Sequence, residues 1–194
     1  MLKSVKSLIF FGPQGSGKST QAKIIAEKFN YPYFSSGELL RGRAESDPAL
    51  AEKLNKGELV DTSVFGKLID EFLDSHQDLK GIVFDGFPRN QEQAQLLEQL
   101  AESHRWQIVG VLVDISDEVA KERIAKRVEL IDGHLAPRSD DKPEILSKRL
   151  ELYHQNQKDL QEFLSHHKLL VIDGEKTVPE VTGQILRELA ALDE

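Results

Sequence analysis

The chain has 194 residues, 39% of them hydrophobic, with no cysteine and a formal net charge of -8. That length fits one domain with a full core. The acidic balance argues against broad nucleic-acid binding, and the lack of cysteine excludes disulfides and Cys-based zinc sites and fits a reducing compartment.

His166 and His167 are adjacent, and the other four histidines show no i,i+4 spacing, so they read as surface or capping residues and not as metal ligands. Lys3 and Lys6 precede an apolar run that Gly12 and Pro13 cut short of a signal-peptide core, and no stretch approaches membrane-spanning length. A soluble, cytoplasmic protein is expected.

Leu8, Ile9, Phe10 and Phe11 suit a buried strand, and Gly12-Pro13-Gln14-Gly15-Ser16-Gly17-Lys18-Ser19-Thr20 follows with the pattern G-x-x-x-x-G-K-S. Glycines at both ends let the backbone turn tightly and aim N–H groups at an anion, and the next helix adds its positive dipole end. This is a cradle for a polyphosphate: Lys18 can reach its β- and γ-phosphates, and the Ser19 hydroxyl is placed for Mg²⁺. Ala22, Ile25, Ala26 and Phe29 then predict a helix with these residues inward.

Tyr33 to Ser36 reads as a second strand, ended by Gly37. Glu38 to Lys56 reads as two short helices broken at Asp47-Pro48, an excursion from the core. Gly57 to Val60 turns into a helix capped by Asp61 or Thr62, with Val64, Leu68, Ile69 and Phe72 on one face. Gly81 to Asp85 is a buried strand ending in a carboxylate, which Gly86-Phe87-Pro88-Arg89 cannot continue. Asn90 caps a helix with Ala94, Leu97 and Leu100 inward.

Ile108 to Val113 is a fourth strand, and Ser116 caps the helix after it, with Asp117 and Glu118 favourable in the first turn. Val128 to Ser139 lacks a period and reads as a loop of about a dozen residues, a length often used for lids. Asp141-Lys142-Pro143-Glu144 is a capping box opening a long helix striped by Leu146, Leu150, Tyr153, Leu160 and Leu164. Leu169 to Ile172 is a fifth strand, and Thr177-Val178-Pro179-Glu180 is a second capping box before the last helix. Strands alternating with helices predict an α/β fold, a doubly wound parallel sheet with ligands at the carboxyl ends of its strands.

Asp85 stands where such a sheet would present a carboxylate to Mg²⁺ near the phosphate loop, although it could also cap the following turn. Lys121 has Asp117 four residues back, Lys126 has Glu122 and Lys148 has Glu144, the favourable acid-before-base pairs. Arg123, Arg127 and Arg149 have no acid at i±3 or i±4. Arg123 and Arg127 face each other at i,i+4, a repulsion that a bound anion relieves, so these arginines suggest a cationic cage for phosphates beside the loop.

The phosphate loop, the Phe34-Ser35-Ser36-Gly37-Glu38-Leu39-Leu40-Arg41 run, Asp85-Gly86-Phe87-Pro88-Arg89, the Arg123 and Arg127 pair, and Arg138-Ser139-Asp140-Asp141 followed by Arg149 resemble the adenylate kinase family of nucleoside monophosphate kinases. The resemblance spans nearly the whole chain in order, and the Asp-Gly-Phe-Pro-Arg run is highly specific. It implies a P-loop NTPase fold with a five-stranded parallel core, one domain over residues 1–194, an NMP-binding insertion over 36–65 and a lid over 128–138. The reaction it implies is ATP plus AMP to two ADP, with Mg²⁺.

By the same resemblance Lys18, Arg89, Arg127, Arg138 and Arg149 are catalytic. Gly15, Ser16, Gly17, Lys18, Ser19 and Thr20 hold ATP phosphates, Arg123 and Arg127 clamp ATP, and Lys176 in the Gly174-Glu175-Lys176 turn touches the ATP base through its backbone. Ser36, Arg41, Glu58, Leu59, Val60, Gly86, Phe87, Pro88, Arg89, Gln93, Arg138 and Arg149 surround AMP or the group in flight. Ser19 and Asp85 serve the metal. Three departures stand out: Ser19 where the family usually has glycine, a short lid without zinc-binding cysteines, so that no structural zinc is expected, and Glu58 where lysine is frequent. The implied partners are ATP and AMP alone, with neither nucleic acid nor membrane, and the expected state is a monomer.

A phosphate monoester is already largely a dianion at neutral pH, its second pKa being near ~6, so the reaction needs no general base. The lack of a Ser-His pair is then expected, because alignment and charge stabilisation suffice. The nearest rival reading is a UMP/CMP kinase of the same superfamily, which base reading by Gln93 would decide. Gln93 could instead close a capping box with Asn90. A GTPase switch is the rival of another class, since Asn55-Lys56-Gly57-Glu58 superficially looks like a guanine-reading motif, but it has Glu for Asp and follows a helix.

Overall fold

A computed structural model describes residues 5–58, 60–76, 79–131, 134–136 and 143–192. Strand β1 (Val5–Phe11) leads to helix α1 (Lys18–Phe29), β2 (Tyr33–Ser35), α2 (Ser36–Ala44), α3 (Pro48–Asn55), α4 (Thr62–Asp74), β3 (Gly81–Asp85) and α5 (Gln91–His104). Then come β4 (Trp106–Asp114), α6 (Asp117–Ala125), β5 (Glu129–Ile131), β6 (His134–Ala136), α7 (Pro143–Ser165), β7 (Lys168–Asp173) and α8 (Val178–Ala191).

Five strands form one sheet in the order β2-β3-β1-β4-β7, and every pairing in it is parallel. From β1 the chain first builds outward on one side, through β2 and β3, and then on the other, through β4 and β7. The carboxyl end of β1 is therefore the topological switch point, where open α/β sheets bind ligands. Register places Phe10 of β1 and Ser35 of β2 on either side of Asp85 at the end of β3.

Both faces of the sheet are covered, as continuous apolar strands require. Leu8 and Phe10 point into a cluster with Ala22, Ile25, Ile172, Ile185 and Leu189, under α1 and α8. Ile9 and Phe11 alternate to the opposite face, into a cluster with Phe34, Phe65, Phe84, Phe87, Leu97 and Leu164. The second capping box is present, with the Thr177 N–H and hydroxyl both donating to Glu180.

Several sequence expectations need correction. Phe29 is 40% exposed and stacks on Tyr31 at 5.5 Å, because α1 ends there and Asn30 turns the chain away through a left-handed φ of 53°. Gln21 is buried in its place: its Nε2 donates to the Val178 carbonyl at 3.0 Å and its Oε1 accepts from Thr182 at 2.7 Å, tying α1 to α8. Ser36 and Gly37 lie in α2, beyond the strand. Asp61 precedes α4 without a side-chain cap and pairs instead with Lys53 at 3.0 Å.

Within the expected loop 128–139, β5 and β6 form an antiparallel ladder. Arms of three residues are too short for a period to register in the sequence. Asp141 and Lys142, which begin the first capping box, lie outside the described residues. The final correction concerns α6, which ends at Ala125, so Arg127 is past the helix and the expected i,i+4 pair with Arg123 does not share one helical face.

Candidate active site

At the switch point the phosphate loop closes tightly against β4. Gly12 has φ 139°, and a Cβ there would sit 2.2 Å from the Val113 carbonyl oxygen, so only glycine fits. Gly17 is the N-cap of α1 and supplies no side-chain cap, which leaves first-turn N–H groups of α1 for an anion. Lys18 donates from Nζ to the Pro13 carbonyl at 3.2 Å, inside its own loop.

Beside this loop lies a cavity of about 570 Å³, large enough for nucleotide phosphates and part of a base. Its walls bring together Gly15, Gly17, Lys18, Ser19 and Thr20 from the loop and first turn of α1, Arg41 from α2, and Glu58 after α3. Asp85, Gly86, Pro88 and Arg89 enter from the end of β3, Arg123 and Arg127 from the α6 region, and Arg149 from α7. Ser16, Ser36, Val60, Phe87 and Gln93 are buried behind this wall. Lys176 stands apart on the surface, 3.4 Å from Asp173, and Leu59 and Arg138 lie outside the described residues.

The residues behind the wall hold the ones in front. Ser36 donates to the Gly86 carbonyl at 2.8 Å, fixing the turn after β3. Phe87 fills the core, 5.4 Å from Phe65 and 6.0 Å from Phe84 between ring centres. Arg89 donates from Nε to Gly86 O at 2.7 Å, and its backbone N–H donates to Gln93 Oε1 at 2.9 Å. Asn90 caps α5 through the Gln93 N–H, but the Gln93 side chain does not close the alternative capping box, because its acceptor is taken by Arg89. The Gln93 Nε2 is buried and has no hydrogen-bond partner among the described residues.

Arg123 is committed differently from the expected anion clamp. It donates from Nη1 to Gly174 O at 2.8 Å and to Gly15 O at 3.5 Å, and from Nη2 to Glu175 O at 3.3 Å. Three backbone carbonyls therefore anchor it between the phosphate loop and the turn after β7. Lys148 lies 3.6 Å from Glu58, which links α7 to the segment after α3.

Charge is concentrated where the loop opens. Burial draws the Lys18 ammonium down to about 8, Asp85 opposes this, and Arg89, Arg127 and Arg149 push the same way as burial. Those three guanidinium groups thus share one field with Lys18. Asp85 is 4% exposed. Its Oδ2 accepts from the Tyr33 hydroxyl at 2.8 Å, whereas its Oδ1 is buried and has no partner among the described residues. A buried carboxylate oxygen left open in a cationic cavity fits a ligand for a hard cation. Among the described residues no group of three or more His, Asp or Glu is placed to hold a metal by itself.

The sequence did not single out Tyr33 or Tyr153. Tyr153 lines the cavity from α7, its hydroxyl has no partner among the described residues, and burial pushes it up to about 12. Its place on the apolar stripe of α7 hid it, since a tyrosine there reads as core. Tyr33 read only as strand-forming, and its partner is set by cross-strand register that one strand alone does not reveal.

Residues 10–169 match the family described as Adenylate kinase. A protein of Bartonella henselae named Adenylate kinase is 36% identical over 185 residues, covering 92% of this chain and 96% of the relative. One of the same name from Thermosynechococcus vestitus is 34% identical over 185 residues, covering 92% and 94% respectively. A third, from Methanocella arvoryzae, is 32% identical over 213 residues, covering 94% and 99%.

Proposed function

The chain belongs to the adenylate kinase family and is a phosphotransferase that converts ATP and AMP to ADP; we propose that it does so with the phosphate loop, Lys18 and the surrounding arginines acting on the group in flight. The observation that carries this assignment is the shared field of Lys18, Arg89, Arg127 and Arg149 at the open end of a capless helix. ATP phosphates lie against the N–H groups from Gly15 to Thr20, with Lys18 and Arg127 beside the γ-phosphoryl group. The AMP phosphate approaches from the side of Arg41 and Arg89, and Arg149 spans the two. Arg138 joins them by family resemblance alone.

An oxygen of the AMP phosphate dianion attacks the γ-phosphorus as the bond to the ADP oxygen breaks, and no proton has to move. The chain's work is to hold the two phosphates in line and to neutralise charge spread over the transferring group. Asp85 and the Ser19 hydroxyl would hold Mg²⁺, which when bound would offset charge developing on the phosphates. Arg123 acts by fixing the Gly174–Lys176 turn beside the ATP base. Gln93 offers Nε2 to an acceptor nitrogen of the AMP base, which favours adenine over the UMP/CMP alternative.

We assign residues 36–65 to AMP binding and 128–138, which contain the β5–β6 ladder, to a lid that keeps water from the phosphoryl group. The substrates we assign are small molecules, and we take the enzyme to act as a monomer. The cysteine-free composition fits the cytoplasm, and among the described residues no helix is long and apolar enough to cross a membrane. The test is Arg127→Ala. A fall in turnover of roughly 10² or more with the fold retained supports the charge-stabilising role, and unchanged turnover overturns it.

A further inference from the structure

Tyr33 takes no part in the scheme above. It lies on β2, the edge strand of the sheet, opposite Val83 of β3 and two residues before Ser35, which faces Asp85. Its ring packs against the core cluster under α1, and the Lys23 ammonium sits 5.6 Å from the ring centre. Lys23 is in turn held by Glu38 at 2.6 Å. A phenol fixed along its ring delivers its hydroxyl to one point, and that point is Asp85 Oδ2, 2.8 Å away.

The consequence falls on the carboxylate. The terminal torsion of an aspartate is broad and two-fold, so an isolated Asp85 could turn either oxygen, or neither, to a bound cation. With Oδ2 occupied, one oxygen is left, and Oδ1 is the atom that is buried with no partner among the described residues. Partners of this kind behind a ligand fix its orientation and commonly matter nearly as much as the ligand.

We propose that Tyr33 is a positioning residue for the metal–nucleotide complex, holding Asp85 by Oδ2 so that Oδ1 meets the Mg²⁺ carried by ATP. This rests on the assignment of Asp85 to the metal made above. A merely structural Tyr33 would fill space and add a hydrogen bond without discriminating between metal-bound and metal-free ATP.

Tyr33→Phe removes the hydroxyl and keeps the ring. The probe is Mn²⁺ titrated into enzyme and ATP without AMP, with free ion read by electron paramagnetic resonance, alongside calorimetric ATP affinity in chelator. Mn²⁺ affinity of the enzyme–ATP complex should weaken about tenfold in Tyr33→Phe, while metal-free ATP affinity stays within about twofold. Asp85→Ala should weaken Mn²⁺ binding at least as much, and adding Tyr33→Phe to it should change nothing further, because the hydroxyl acts through the carboxylate. Unchanged Mn²⁺ affinity in Tyr33→Phe, with Asp85→Ala impaired, overturns the role of Tyr33 alone. Unchanged affinity in Asp85→Ala overturns the metal assignment and this inference with it. Equal loss of metal-free and Mn²⁺-bound ATP in Tyr33→Phe marks the residue as structural and also overturns the proposal.

Discussion

Replacing Lys18 by methionine should make the ligand-free protein more stable while disabling it. The ammonium is held among three guanidinium groups in a largely covered position, and its pKa falls from 10.5 to about 8. At ~1.36 kcal/mol per pKa unit, keeping it charged in the folded state costs roughly 3 kcal/mol. The cavity side of Lys18 is open to water, which trims that figure, and Lys18→Met also forfeits the bond to the Pro13 carbonyl. Methionine is unbranched and of similar length, so packing changes little. A net gain of about 2 kcal/mol remains, or roughly 4–8 °C in Tm for a domain of this size.

The pH dependence follows from the sign of the shift. Below about pH 8 the lysine is charged in both folded and unfolded states, and the cost is present in full. Between about 8 and 10.5 the folded state sheds its proton first, so the wild type gains stability as pH rises and the gap to Lys18→Met narrows. Denaturant melts of both proteins at pH 7 and pH 10, with a coupled ADP assay, read these effects. Turnover should drop on the order of 10² or more, since a positioned transition-state charge is lost. A variant that is less stable than the wild type at pH 7, or whose advantage grows towards pH 10, would refute the burial argument. Near-normal turnover would refute the phosphate-loop assignment.

Arg149→Ala should lower turnover by roughly 10² while moving Tm only slightly, because Arg149 lines the cavity beside Lys18; a large loss of Tm with normal kcat would show a structural role instead. Gly86→Ala should cost about 1–2 kcal/mol for a side chain at φ 71°. Its Cβ, 2.9 Å from Arg89 Nη2 and 3.0 Å from Ser36 Oγ, should also raise KM for AMP more than KM for ATP in steady-state kinetics. Gln93→Asn should reduce kcat/KM for AMP by about 1–3 kcal/mol of lost polar pairing without changing ATP affinity, and equal losses across AMP, UMP and CMP would reduce Gln93 to a support for Arg89.

The parts of the fold that were legible in the sequence are those with local causes. Apolar runs bounded by glycine gave the strands, and the G-x-x-x-x-G-K-S pattern located the loop and the helix after it, because turn chemistry and phosphate geometry are written in consecutive residues. Asp85 was legible for the same reason, being the last residue of a fully apolar run. What stayed hidden depends on pairing between distant segments. The commitment of Arg123 to the carbonyls of Gly15, Gly174 and Glu175 joins positions 108, 51 and 52 residues away, which no helical spacing reports. The inward turn of Gln21 and the outward placing of Phe29 depend on where α8 packs and where α1 stops. Gln93 is legible as a candidate base reader, but which of its amide atoms stays open depends on the bend that brings the Arg89 N–H to it.

The most direct test of the account is ADP formation from MgATP with AMP, UMP, CMP or GMP as the sole acceptor. The account predicts rapid ADP formation with AMP, far slower formation with the other three, and almost none with ATP alone. Preference for UMP or CMP would contradict the reading of Gln93, and nucleotide hydrolysis that needs no monophosphate acceptor would contradict the phosphotransferase itself.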